Sequence, residues 1–152
     1  MRNLALIALI TLYACATAAA PDGMSEMAGV YTRQFRNGNV DGESYQSENR
    51  LEIVRADATH GALYVSLEFF NGHSCEVSGD ARLEEADTLV MQLPAESDGL
   101  PGCTLVVSHE GDAMVFRDAS HGCQMHYCGA RGTFDGVRLP YASRRPLAHL
   151  SH

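Results

Sequence analysis

Histidine and cysteine fall together at two places in this sequence: His73-Ser74-Cys75, and His121-Gly122-Cys123 followed closely by His126 and Cys128. Imidazole nitrogen and thiolate sulfur are the borderline-soft ligands that zinc and copper take. The spacing fits no zinc-finger pattern, however, and neither a C-x-x-C redox pair nor a C-x-x-C-H haem attachment site occurs. In an oxidising compartment such thiols are consumed as disulfides, so neither a metal nor another cofactor is expected.

Hydrolytic chemistry has no better foothold. The sequence holds no G-x-S-x-G turn, no H-E-x-x-H helix and no glycine-rich phosphate loop. Glu84-Glu85 and the acids Asp41, Glu43 and Glu48 are carboxylates of the kind that glycosidases pair. They alternate with apolar positions or lie in a polar stretch, and read as a solvated face. His109, in phase with Cys103 and Val107, reads as a histidine at a strand's rim. The chain is therefore read as a binding protein and not as an enzyme.

Its compartment is written at the start. Met1-Arg2-Asn3, the apolar run Leu4–Tyr13 and the small residues Ala14 to Ala20 have the three regions of a signal peptide. The apolar run is shorter than the roughly 20 residues that a membrane-spanning helix needs. Ala16-Thr17-Ala18 is an A-x-A exit, which assigns residues 1–18 to the signal. Leu12-Tyr13-Ala14-Cys15 resembles a lipobox, and cleavage there would leave Cys15 lipidated and the protein anchored to the outer membrane. Both routes export the chain, to the periplasm or beyond. The net charge is −8, and loss of Arg2 takes it to −9. Such a surface disfavours nucleic acid and favours a cationic protein, with membrane contact only through a lipid on Cys15.

The elements that position these residues are strands. Cys75, Val77, Gly79, Ala81 and Leu83 alternate with Glu76, Ser78, Asp80, Arg82 and Glu84, one face for a core and one for water. Similar runs begin at Val30, Leu51, Leu63, Leu89, Cys103 and Met114. Between them stand Asn37-Gly38-Asn39, Asn71-Gly72-His73, the stretch Ser97–Gly102 and Glu110-Gly111-Asp112, residues that suit tight turns. About seven strands in consecutive hairpins predict an all-β fold, an antiparallel meander closing into a small barrel or strongly curved sheet. Residues 19–28 read as a linker, 29–136 as the single β domain with a disulfide-bearing C-terminal loop, and 137–152 as an extended basic tail.

With Cys15 set aside, 5 − 1 = 4 cysteines remain: Cys75, Cys103, Cys123 and Cys128. An even number in an exported chain reads as two disulfides. Cys75 and Cys103 both begin strands running the same way, so the four should gather at one end. Core phase favours Cys75 with Cys103 and Cys123 with Cys128; the alternative joins Cys103 to Cys123.

In the favoured pairing, Gln124, Met125, His126 and Tyr127 form a short rigid loop, which lowers the entropy cost of entering a cleft. The pattern C-x-x-H-x-C resembles the protruding loop of the inhibitor of vertebrate lysozyme family, whose histidine enters the lysozyme cleft. The resemblance covers six residues and implies that Cys123 and Cys128 close the loop and that His126 is the probe. Met125 and Tyr127 replace the family's proline and acid. The implied function is an exported protein that binds a cationic partner such as a lysozyme. The alternative is a small-ligand-binding or envelope-interaction β-barrel module without inhibitory activity, for which an open interior lined by Leu63, Val65, Leu67, Val77, Leu105 and Phe116 would be the sign.

Overall fold

The computed structural model describes residues 22–95, 99 and 101–147. The signal segment 1–18 with Cys15, residues 97, 98 and 100 of the expected turn 97–102, and residues 148–152 lie outside the described residues.

Eight strands follow one another: β1 (Gly29–Gly38), β2 (Ser44–Arg55), β3 (His60–Glu68), β4 (Ser74–Glu85), β5 (Thr88–Leu93), β6 (Cys103–Glu110), β7 (Ala113–Arg117) and β8 (Arg138–Pro140). Each pairs antiparallel with the next, so the sheet order is the chain order. The meander curls into a nearly closed barrel. Val30 and Arg145 bring its ends together, exchanging backbone N–H···O bonds of 2.8 and 2.9 Å.

Strand alternation decides the inside and the outside. Leu51, Ile53, Leu63, Leu67, Cys75, Leu89, Met91, Leu105, Val107 and Phe116 are buried in one cluster. Their neighbours Glu48, Arg50 and Glu52 on β2 and Glu76, Asp80 and Arg82 on β4 turn outward. This is the polarity of a barrel in water, the reverse of the apolar outer band of a membrane barrel. Among the described residues no helix is long and apolar enough to cross a membrane.

Both flanks expected to lie outside the domain are part of it. In the expected linker, α1 (Gly23–Met27) starts where the Asp22 carboxylate accepts the Ser25 N–H at 2.7 Å. Its Met24 and Met27 are buried in the core. Met24 lies so close to β3 that a Cβ on Gly61 would stand 2.6 Å from its Cε. The expected basic tail supplies β8, with Leu139 buried, and then the bridge at Arg145. Arg144 donates to the Ala28 carbonyl at 2.9 and 2.8 Å and to that of Ser25 at 2.8 Å, satisfying oxygens at the end of α1. A five-residue helix and a three-residue strand are too short to leave a periodic signal, and three arginines without acids resemble a solvated tail.

At this end of the barrel the Tyr31 hydroxyl donates to the Met27 carbonyl at 2.7 Å. Burial pushes its phenol well above the ordinary tyrosine range. Tyr141 lies 5.8 Å from Tyr31 and stacks on His109 with ring centres 3.8 Å apart.

Candidate functional site

Cys75 opens β4 and Cys103 opens β6, two strands that run the same way on either side of β5. All four cysteines therefore meet at the opposite end of the barrel from α1. Their pairing is Cys75 with Cys128 and Cys103 with Cys123. The favoured pairing fails on distance. Cys75 and Cys103 begin second-neighbour strands, about 9.5 Å apart at two strand spacings. Disulfide-bonded residues have Cα atoms within roughly 7 Å. Cys123 and Cys128 are separated by a helix, α2 (Gly122–Tyr127), whose rise over five residues is about 7.5 Å. The alternative join of Cys103 to Cys123 is the one formed, and it leaves Cys75 for Cys128.

Residues 123–128 are thus not a loop closed on itself but a turn of helix fastened at each end to a different strand. Cys123 holds it to the start of β6. Cys128, in extended conformation, lies opposite Cys75 in an antiparallel bridge as well as in a disulfide. Gly122 sits against Cys103, where an added Cβ would be 3.2 Å from the Cys103 Cβ. Asp118, fully buried at the end of β7, accepts the N–H groups of Cys123 at 3.3 Å and Gln124 at 2.8 Å. His121, in the left-handed region at φ 52°, turns the chain into the helix. Its Nδ1 stands 3.1 Å from the Gln124 Oε1.

The helix decides what each expected contact residue presents. Met125 faces solvent with 68% of its surface exposed. His126 is half-buried, and its Nε2 is shut off from solvent without a hydrogen-bond partner. Gln124 and Tyr127 are also half-buried. The residue at the tip is therefore Met125 and not His126, because a helix advances about 100° per residue and carries the imidazole round to the protein's side. Comparison with protein-family models, curated proteins and solved structures gave no match.

The thiolates considered with His121 and His126 as metal ligands are engaged in the two disulfides. The six residues expected to line an open interior, Leu63, Val65, Leu67, Val77, Leu105 and Phe116, instead share one buried cluster with Met24, Met27, Met91 and Phe134. The interior at these positions is core. Two disulfides fit an oxidising compartment outside the cytoplasm.

Nothing in the sequence marks Asp118 as a brace. A single acid five and six residues before the amides it receives follows no capping-box spacing. Asp118 is legible as a brace only once α2 is seen to fold back over the end of β7.

Proposed function

We propose that this chain is an exported, protein-binding barrel that engages a cationic partner through α2, with a lysozyme as the partner that the C-x-x-H-x-C motif suggests. The observation that carries the reading is the exposed Met125 on a helix held by two disulfides and a buried carboxylate. A flexible apolar side chain on a rigid mount adapts to a partner's surface while the backbone beneath it loses little entropy on binding. Gln124 and Tyr127, both half-buried, stand near this knob on the same helix, and the His126 ring lies 5.9 Å from that of Tyr127.

The charge distribution favours a cationic partner. All 11 basic side chains are arginine. Arg50, Arg55, Arg82, Arg117 and Arg138 are each paired with a carboxylate, and Arg144 is spent on backbone carbonyls. The unpaired charge left on the surface is mostly acidic, which speeds encounter with a cation and makes it sensitive to salt. Export follows from the signal over 1–18, or from lipidation at Cys15, and ends in the periplasm, at the outer membrane or outside the cell.

The test is binding to, and inhibition of, chicken-, goose- and invertebrate-type lysozymes at low ionic strength. Inhibition is expected to fall steeply with added salt and to be lost in Met125→Glu, with a smaller loss in His126→Ala. Absence of binding to all three types at low salt rejects the lysozyme reading.

A further inference from the structure

We infer that a trough on the outer face of β2, β3 and β4 receives a lysine or arginine side chain of a partner protein. The trough follows from register. Arg50 stands opposite Ser66, and Ser66 opposite Glu76; in the next row Glu52 stands opposite Tyr64, and Tyr64 opposite Ser78. The antiparallel bridge between Cys75 and Cys128 extends the first row by setting Tyr127 beside Glu76. Short serines between long neighbours leave a hollow of about 420 Å³, walled by the Tyr64 and Tyr127 side chains.

Its electrostatics select a cation. Arg50 is held by its own strand, with Nε 2.7 Å from Glu52 and Nη1 3.8 Å from Glu48. Glu76 is exposed and carries no ion pair among the described residues. The hollow's lining thus holds one guanidinium and two carboxylates, Glu52 and Glu76, and Glu48 beside Arg50 adds a third negative charge at its edge. Tyr64 is half exposed, at 50%. A cationic head at Glu76 places its methylene stem along the tyrosine rings, which attract both the stem and the charge. Because Tyr127 closes α2, the trough adjoins the helix, and a partner seated on Met125 reaches both.

The inference deepens the reading of the chain as a receptor for a cationic protein, and its test separates the two. The exported, ¹⁵N-labelled protein is titrated with the peptide amide Gly-Arg-Lys-Gly, with chitotriose and with hen egg-white lysozyme. The peptide is expected to shift the amide signals of Tyr64, Ser66, Ser78 and Tyr127. Glu76→Gln and Tyr64→Ala, both at exposed positions, are expected to weaken the peptide and lysozyme at least fivefold while leaving spectral dispersion intact. If the peptide fills the trough and lysozyme does not bind, the trough stands and that partner falls. Lysozyme binding unchanged by both variants overturns the trough and leaves the partner reading standing. Peptide shifts lying elsewhere, or trough shifts from chitotriose and not from the peptide, also overturn it.

Discussion

The carboxylate of Asp118 accepts the backbone N–H of Gln124 at 2.8 Å in a fully buried position, and its other oxygen accepts that of Cys123. This bond joins the end of β7 to the start of α2, which the disulfides join to β4 and β6. Three strands therefore fix a helix of six residues. An isolated helix of that length is unstable in water, since nucleation costs more than one turn returns. The helix exists only because the barrel's end holds it.

Asp118→Ala strands two helix amides without an acceptor in a buried place. Loss of hydrogen bonds to a charged group costs about 2–3 kcal/mol. Guanidinium unfolding should show an unfolding free energy lowered by that amount and an earlier midpoint, with Asp118→Asn falling between. A loss below about 0.5 kcal/mol in Asp118→Ala would mean that the disulfides alone hold the helix.

Peptide mapping under non-reducing conditions should recover Cys75 linked to Cys128 and Cys103 linked to Cys123. The sequence separations are 53 and 20 residues, for which chain-entropy estimates give about 4 and about 3 kcal/mol. The shorter loop lies inside the longer, so the two contributions do not add. Cys103→Ser with Cys123→Ser should leave a folded barrel with a less ordered α2, whereas reduction of both bonds should lower the melting temperature further. Recovery of a peptide linking Cys123 directly to Cys128 would contradict the fold at this end.

The middle of the barrel was legible because Leu63, Val65 and Leu67, and Cys75 through Leu83, alternate without exception. The first half of β2 was not, because its inward residues are polar. Asn37 donates to the Ser47 hydroxyl at 3.1 Å and to the Phe69 carbonyl at 2.8 Å, while Asn49 accepts the Glu68 N–H at 2.8 Å. These buried groups satisfy one another, so burial there leaves no apolar pattern. The gathering of the cysteines at one end follows from strand direction, which the turns reveal. Their pairing follows from strand spacing and from a helix too short to show a period. The same helix turned His126 inward and Met125 outward, a rotation that a motif of fixed letters does not encode.

The floor of the barrel should prove as much a part of the domain as its strands. Met24 and Met27 are buried, and Met24 is packed against Gly61. Met24→Ala and Met27→Ala are expected to cost about 2–5 kcal/mol each, the usual loss for a truncated core methionine. Gly61→Ala is expected to be destabilising too, because its Cβ would lie 2.4 Å from the Val54 carbonyl oxygen. A chain beginning at Gly29 should unfold at markedly lower denaturant than one beginning at Ala19. Equal midpoints for those two chains would restore residues 19–28 to the role of linker.

Acid should remove one turn's contribution at a definable pH. Asp57 receives the N–H groups of Thr59 at 2.7 Å and His60 at 2.8 Å, and these bonds lower its carboxyl from 3.8 to about 2. A depressed folded pKa means that the ionised form is favoured by folding. Its stabilisation is fully present above the unfolded value and is lost as pH falls through about 2. Asp57→Asn keeps the shape and one acceptor but not the charge, and so mimics the protonated turn. Its melting temperature should lie below that of the natural chain at pH 6, and the gap should narrow below pH 4 and close near pH 2. Asp22, lowered mainly by the Ser25 amide and then by Arg55, loses its contribution in the same direction but is present in both proteins. It cancels from the difference. A gap that stays constant from pH 6 to pH 2 would show that the turn does not depend on the Asp57 charge.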